Sequence, residues 1–481
     1  MNYKMVLKSL GVLLISEAAA MSISLIVAFI YKDEGISAFI YTIFILLLVG
    51  FPLTRLKPHS SNLYAKDGFA IVAFGWIAMS VLGALPYYFS GMTSTFIDSF
   101  FEAVSGFTTT RASVLSTVEN LPNSIMFWNG LTHWMGGMGV LILTLAILPT
   151  VSATSLYIMK AESPGPKPGK LVPKMGQTAK ILYGIYLIIT MVLVILLITA
   201  GMPVFDSLIH AFGTVSTGGI SNRNLSIGAY NSIFIEIIIT FFMLICGMSF
   251  TLHYQVFKGN IGALFKNEEF KFYITVIGAS ILLISINLYG SVFASIGESL
   301  RHSSFQVVSI ISTTGFSSTD FDKWPMLSKS ILFFLMFMGG CAGSTGGGIK
   351  NIRVLLLLKS AKSQLMKIIH PRGIYPVRLD GRIIDDKSVA EIMSFFFLYI
   401  FIFVIGVIFV SFDGYDFTTT LTSVAATMGN TGYGLSMVGP MGNYSIMSPL
   451  SKIVLSFAML IGRLEIYPIL LLTVPTFWKK D

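Results

Sequence analysis

The sequence predicts an all-α membrane protein: two N-terminal spans, then four copies of one unit, each read as span, half-span, small-residue strand and span. Three observations predict it. The chain of 481 residues is 54% hydrophobic and 11% charged, whereas soluble domains carry about 25% charged residues. Its apolar runs approach the ~20 residues needed to cross a bilayer. Beyond residue 66 those runs come in pairs, and a short amphipathic stretch followed by a Thr, Ser and Gly cluster separates the members of each pair.

Taken in order, the runs at 9–30 and 36–54 form the first two spans, within 1–66. The first run is too long for a signal-peptide core and lacks a cleavage site, so it reads as a retained span. The pairs are 68–89 with 125–149, 181–200 with 231–256, 271–293 with 328–362, and 389–412 with 449–475. They divide the chain into units at 67–150, 151–258, 259–369 (with an interrupted second helix) and 370–481, an internal repeat. Ten spans and four half-spans are expected.

The formal charge of +9 is a topology signal rather than a nucleic-acid footprint, because the basic residues sit in short loops between apolar runs. Arg55, Lys57 and Lys66, then Lys160, Lys167, Lys170, Lys174 and Lys180, then Lys258, Lys266 and Lys271 fall on one side. The basic segment 350–387 and both chain ends join them. By the positive-inside rule, that face and both termini are cytoplasmic. Cys246 and Cys341 lie in apolar runs and offer no disulfide framework.

Aligned without gaps, the outside segments read FEAVSGFTTTR (101–111), LIHAFGTVSTG (208–218), FQVVSIISTTG (305–315) and TSVAATMGNTG (422–432). The penultimate residue is Thr110, Thr217, Thr314 or Thr431. Glycine follows as Gly218, Gly315 and Gly432, and the exception is Arg111. Non-helical backbone at membrane depth is tolerated only where it is buried or lines a wet cavity. Four copies around one axis therefore make one pore, with extended Thr-Gly backbone offering carbonyls in place of an ion's hydration shell. Glycine suits such a strand because it adopts strained backbone angles and leaves the lumen free.

These strands, together with WMGGMGVLILTLAILP (134–149), GGCAGSTGGGIK (339–350) and IGRLEIYPILLLTVPTFW (461–478), resemble the TrkH members of the Trk/Ktr/HKT cation transporters over essentially the whole chain. The resemblance implies four pseudo-fourfold membrane-pore-membrane units around a single potassium pathway in the inner (plasma) membrane. The transported K+ would meet the filter at Thr109, Thr110, Arg111, Thr217, Gly218, Thr314, Gly315, Thr431 and Gly432. It also implies a homodimer and a cytosolic TrkA-type regulatory subunit. Nucleotide is expected only on that partner, and no cofactor is bound covalently. The second span of the third unit would be interrupted by an intramembrane gate loop. Here that is Gly339 to Gly348, including Gly343, Ser344, Thr345, Gly346, Gly347 and Gly348. Arg463, a cation in the middle of the last apolar run, would face the pore and hold the closed loop through its carbonyls.

Relatives of this type carry glycine where this chain has Arg111. Either its side chain packs behind the strand, leaving the Thr109 and Thr110 carbonyls to ions, or the unit has altered or reduced conduction. A register shift placing Gly106 at the filter glycine is a third arrangement. Sodium permeation and a non-conducting variant stay open for the same reason, as does an ion-coupled carrier with alternating access. Elsewhere, Asp98, Glu102, Asp206, His210, Glu298 and Arg301 either draw cations to the mouth or cap and pair locally. His133 and His253 read as satisfied interface histidines, and Glu17 and Glu236 are ambiguous. The glycine-rich stretch is no P-loop, because Gly348 is followed by Ile349 rather than by Lys and Ser or Thr. The basic linkers 151–180 and 359–388 are Pro- and Gly-containing loops that also suit contact with regulatory subunits or anionic lipid. No covalent chemistry and no nucleic-acid partner are expected.

Overall fold

A computed structural model describes residues 1–58, 64–139 and 175–478 of the chain. Residues 140–149 of the first unit's second run, Lys160, Lys167, Lys170, Lys174, Lys479 and Lys480 lie outside the described residues. Among the described residues the regular structure is helical, apart from a hairpin pairing Arg378–Leu379 with Arg382–Ile383. Large apolar side chains such as Ile30, Phe44, Phe234, Ile286 and Phe397 face outward. Outward apolar surface on this scale suits a hydrocarbon solvent rather than water.

The first two helices, Tyr3–Tyr31 and Ile36–Thr54, form an antiparallel hairpin. They approach so closely that a Cβ on Gly11 would sit 2.7 Å from the Leu53 Cβ. Small residues at such a seam let helix backbones pack by van der Waals contact where lipid gives no hydrophobic drive. Asp33 in the turn accepts hydrogen bonds from the Ser124 amide and hydroxyl, which ties the hairpin to the start of the Asn123–Gly137 helix.

Four shorter helices follow the first member of each pair: Phe96–Phe107, Val204–Val215, Ile296–Ile311 and Phe417–Met428. Their starts are specified locally. The side chains of Thr95, Ser295 and Asp416 accept hydrogen bonds from the first-turn amides of Asp98, Gly297 and Thr419, and Pro203 precedes the second helix. Such caps satisfy amides that have no partner within the helix. At Asp416, hydrogen bonds from the Thr419 hydroxyl and amide hold the carboxyl below its ordinary pKa.

Among the described residues, six helices are long and apolar enough to cross a membrane, and a seventh crossing is a bent pair. Of the four second members, part of the first (140–149) lies outside the described residues, and the other three are broken. The interruption between Met326–Phe337 and Asn351–Ile369 is the expected one. Two others correct the expectation of continuous spans at 231–256 and 449–475. Ile233–Cys246 meets Phe250–Phe257 at a bend of 101°, where the Gly247 carbonyl accepts from the Cys341 amide at 2.8 Å and the Phe250 amide donates to Gly343 at 2.9 Å. Pro449–Arg463 stops before Tyr467–Thr473 because Glu465 and Ile466 adopt φ of 57° and 70°. That left-handed kink is costly for a β-branched residue. The Arg353–Glu465 ion pair at 2.5 Å anchors it.

Candidate ion pathway

All four short helices end in the same way. Two residues past each C-terminus the backbone turns left-handed, at Thr109, Thr217, Thr313 and Asn430, with φ between 53° and 59°. Two residues later it does so again, at Arg111 (64°), Gly219 (61°), Gly315 (79°) and Gly432 (81°). Between these positions the amides of Thr110, Gly218, Thr314 and Thr431 donate back to Ser105, Gly213, Ser309 and Ala426, five residues earlier in each case. Alternating hands of this kind turn successive carbonyls to one side of a strand, and glycine is the residue that tolerates them.

This geometry corrects the register of the second segment by one residue. Thr217 corresponds to Thr109, Gly218 to Thr110, and Gly219, not Gly218, to the terminal glycine. The gapless alignment slipped because two glycines follow Thr217, and the penultimate Thr of the other three drew the match. The alternative that puts Gly106 at the glycine position is excluded, since Gly106 lies within the Phe96–Phe107 helix, against Thr132.

The segments approach one another in a cycle. A Cβ on Gly219 would stand 1.9 Å from the Thr314 carbonyl oxygen, one on Gly315 2.4 Å from that of Thr431, and one on Gly432 2.3 Å from that of Thr110. Second therefore neighbours third, third neighbours fourth and fourth neighbours first, which puts the first segment across from the third. Asn430 stitches the last contact, donating to the Thr110 hydroxyl at 2.8 Å and the Met459 carbonyl at 3.1 Å. Thr108 with Thr110, and Ser312 with Thr314, make the same hydroxyl pair at 2.7 Å.

Arg111 does not pack behind its strand. Its Nη1 donates to the Gly315 carbonyl at 2.6 Å and lies 3.4 Å from the Ser226 hydroxyl, and the guanidinium carbon is 4.4 Å from the centre of the Tyr433 ring. Beyond it a cavity of about 150 Å³ is lined by Arg111, Ser113, Ser221, Asn224, Tyr433 and Tyr444. Beneath Arg111's strand, the buried Glu102 carboxylate accepts from the Val114 amide, the Ser113 hydroxyl and the Asn129 amide nitrogen.

On the other side of the four segments lies the glycine-rich loop. The Gly347 amide donates to the Thr313 hydroxyl at 2.8 Å, Thr345 Oγ1 is 3.2 Å from Thr217 Oγ1, and a Cβ on Gly347 would meet Asn430 at 2.6 Å. A Cβ on Gly339 would fall 1.9 Å from the Gly347 carbonyl oxygen, so the two limbs of the loop close only with glycine there. The Arg463 guanidinium reaches three carbonyls, Thr345 at 2.5 Å, Gly136 at 2.6 Å and Gly137 at 2.7 Å. Gly343, Ser344, Gly346, Gly347 and Gly348 line a second cavity of about 80 Å³ together with Arg463.

Several residues escaped the sequence reading. Glu269 accepts from the amides of Ala342 (2.6 Å) and Ile352 (3.1 Å), one within the loop and one just past it. Lys350 donates to the Gly346 carbonyl. A signal existed for both, since ionisable groups at the edge of apolar runs are costly and usually have partners. Asn430 aligns with Thr109 in sequence and shares its left-handed φ. Asp98 pairs with Lys452 at 2.6 Å, Asp206 with Arg223 at 3.1 Å and Glu236 with Arg301 at 2.6 Å, the local-pairing reading. Glu298 is exposed. His210 bonds the Asp206 carbonyl and Ser221, and His253 the Ile245 carbonyl. His133 is buried against Gly218.

A family profile described as "Cation transport protein", TrkH, matches residues 35–480. This chain belongs to the TrkH family. It is 35% identical, over the full length of both chains, to the Trk system potassium uptake proteins TrkH of Salmonella typhimurium and Escherichia coli. It is 33% identical to TrkG of Escherichia coli, with 95% of this chain and 94% of that protein aligned. The crystal structure of the potassium transporter TrkH from Vibrio parahaemolyticus superposes with a TM-score of 0.90 at 33% identity, covering both chains fully. The TrkH-family chain is thus a membrane ion transporter and not an enzyme.

Proposed function

We propose that this TrkH-family chain carries potassium into the cell through one central, pseudo-fourfold pathway. In this reading the filter is formed by the carbonyls from Thr109 to Arg111, Thr217 to Gly219, Thr313 to Gly315 and Asn430 to Gly432. The gate is the loop from Gly339 to Gly348, held shut by Arg463. The observation that carries the reading is the cyclic approach of Gly219, Gly315 and Gly432 to the carbonyls of Thr314, Thr431 and Thr110, because a ring of backbone oxygens is what replaces an ion's hydration shell. The relatives' names as potassium uptake proteins point to the same ion.

The gate assignment rests on position and chemistry. The loop touches the second, third and fourth segments from one side, and a guanidinium donating to Thr345 adds positive potential in the path of a cation. Arg463 thus opposes conduction twice, by holding the loop and by repelling the ion. Around the pathway, the protein sits in the inner (plasma) membrane with both termini cytoplasmic. It pairs with a second copy and takes its stimulus from a TrkA-type nucleotide-binding subunit on the basic cytoplasmic face.

The test is flux from purified protein in proteoliposomes together with that regulatory subunit. Potassium flux that follows the potassium gradient alone, and loses its preference over sodium in Gly432→Ala, is expected. Flux that requires a proton gradient would instead favour a coupled carrier.

A further inference from the structure

We infer that Arg111 is a tethered cation that occupies the end of the filter farthest from the gate loop, and that ions pass only when its side chain swings into the adjoining cavity. The inference rests on the pore reading above and names what regulates that pore.

The first and third segments face each other across the cycle of contacts, yet Arg111 Nη1 from the first bonds the Gly315 carbonyl of the third at 2.6 Å. Along the way the side chain meets the glycine of every other segment. Its Cδ lies 3.1 Å from where a Gly219 Cβ would be and 3.7 Å from that of Gly315, and its Cβ 3.0 Å from that of Gly432. A side chain within reach of all three glycines at one level crosses the centre of that level.

The guanidinium meets there the surroundings that a permeant cation would need. Its partners are a backbone carbonyl at Gly315, the Ser226 hydroxyl at 3.4 Å and the faces of Tyr433 at 4.4 Å and Phe316 at 5.8 Å. Carbonyls and ring faces both attract positive charge. The Gly432 carbonyl is also taken, by the Tyr444 hydroxyl at 2.9 Å, so this level offers a free ion little. The Thr-level carbonyls beneath are not bonded to Arg111.

The backbone points the same way. Arg111 holds φ at 64°, which the other three segments reach with glycine. A non-glycine residue in that conformation is strained, so substitution by glycine removes strain rather than adding it. The 150 Å³ cavity beside Arg111, lined by Ser113, Asn224 and Tyr444, gives the side chain somewhere to go.

The consequence is self-block. A unit charge ~5 Å from a second, at an effective dielectric constant of ~20, lowers occupancy of the neighbouring position by roughly two orders of magnitude. The side chain enters from the outer end, so a negative interior draws it deeper and inward flux is the direction most suppressed.

The experiment compares potassium flux through native protein, Arg111→Gly and Arg111→Gln in liposomes with the regulatory subunit, with and without guanidinium chloride on the outer face. The expected result is inward flux raised at least ~10-fold in both variants. Millimolar guanidinium would return Arg111→Gly towards the native rate, more strongly at negative potential, and leave native protein unaffected. The inference is overturned if all three proteins carry equal flux with equal response to guanidinium; the pore would then stand with Arg111 outside its path. If folded Arg111→Gly and Arg111→Gln carry no potassium at all, the pore reading itself fails.

Discussion

Arg463→Ala offers the sharpest test of the gate. In the structure its guanidinium donates to Thr345 at 2.5 Å within the loop, and to Gly136 and Gly137 at 2.6 and 2.7 Å outside it. A hydrogen bond to a charged group contributes ~1.5–3 kcal/mol net. If the Thr345 bond exists only in the closed state, its loss shifts the closed-to-open ratio by roughly 10- to 150-fold. If the bonds to Gly136 and Gly137, outside the loop, persist in both states, their loss lowers stability without favouring either. The assay is resting potassium leak from loaded liposomes without the regulatory subunit, normalised to folded protein. It should be run in the native and Arg111→Gly backgrounds so that the outer side chain does not mask the inner one. Arg463→Lys should lie between, since an ammonium is a point charge and cannot present a planar fork to three carbonyls. Unchanged leak in folded Arg463→Ala, in both backgrounds, would refute the reasoning.

Three further perturbations probe other parts of the account. Gly315→Ala places a Cβ 2.4 Å from the Thr431 carbonyl oxygen at a φ of 79°, and is expected to reduce potassium preference over sodium several-fold in competitive flux, together with a lowered melting temperature from the clash and the left-handed strain. Glu269→Gln weakens the acceptor for the Ala342 and Ile352 amides. Faster amide exchange across 339–352 and a raised leak should follow, and exchange identical to native would count against a loop anchor. Asp416→Ala removes a helix cap and should cost ~1 kcal/mol. Its folded pKa is depressed, so the ionised carboxylate's share of that stability is present above the unfolded value of ~3.9 and is lost as pH falls through the lower folded value. The gap in melting temperature between native and Asp416→Ala should therefore narrow on acidification below about 4.

Much of the architecture was legible because it rests on signals that sequence carries well. Paired apolar runs gave the spans, and the recurrent Thr, Ser and Gly clusters gave the four segments. Six glycines between residues 339 and 350 marked the interrupted helix, and a lone arginine in an apolar run marked Arg463. What escaped was set by backbone angle and by contact between distant segments. Pro468 marks the start of the following helix, but neither Glu465 nor Ile466 is a residue that favours left-handed backbone; an ion pair from Arg353, far away in the chain, supports the kink. The bend at 247–249 depends on backbone bonds from the glycine-rich loop, which hydropathy does not register. The second segment slipped by one because Gly218 and Gly219 are interchangeable in sequence but not in φ. The direction of Arg111 was undecidable from its neighbours, since the carbonyl it bonds lies 204 residues away.

The central claim is that four stretches of main chain encircle a monovalent cation, and anomalous scattering from rubidium-soaked protein tests it most directly. The account predicts density ringed by the carbonyls of Thr110, Gly218, Thr314 and Thr431 in Arg111→Gly, and the same peak at much lower occupancy in native protein, where the Arg111 charge sits beside it. A further peak should appear at the vacated guanidinium position in Arg111→Gly. Rubidium bound elsewhere, with both of those positions empty in the two proteins, would contradict it.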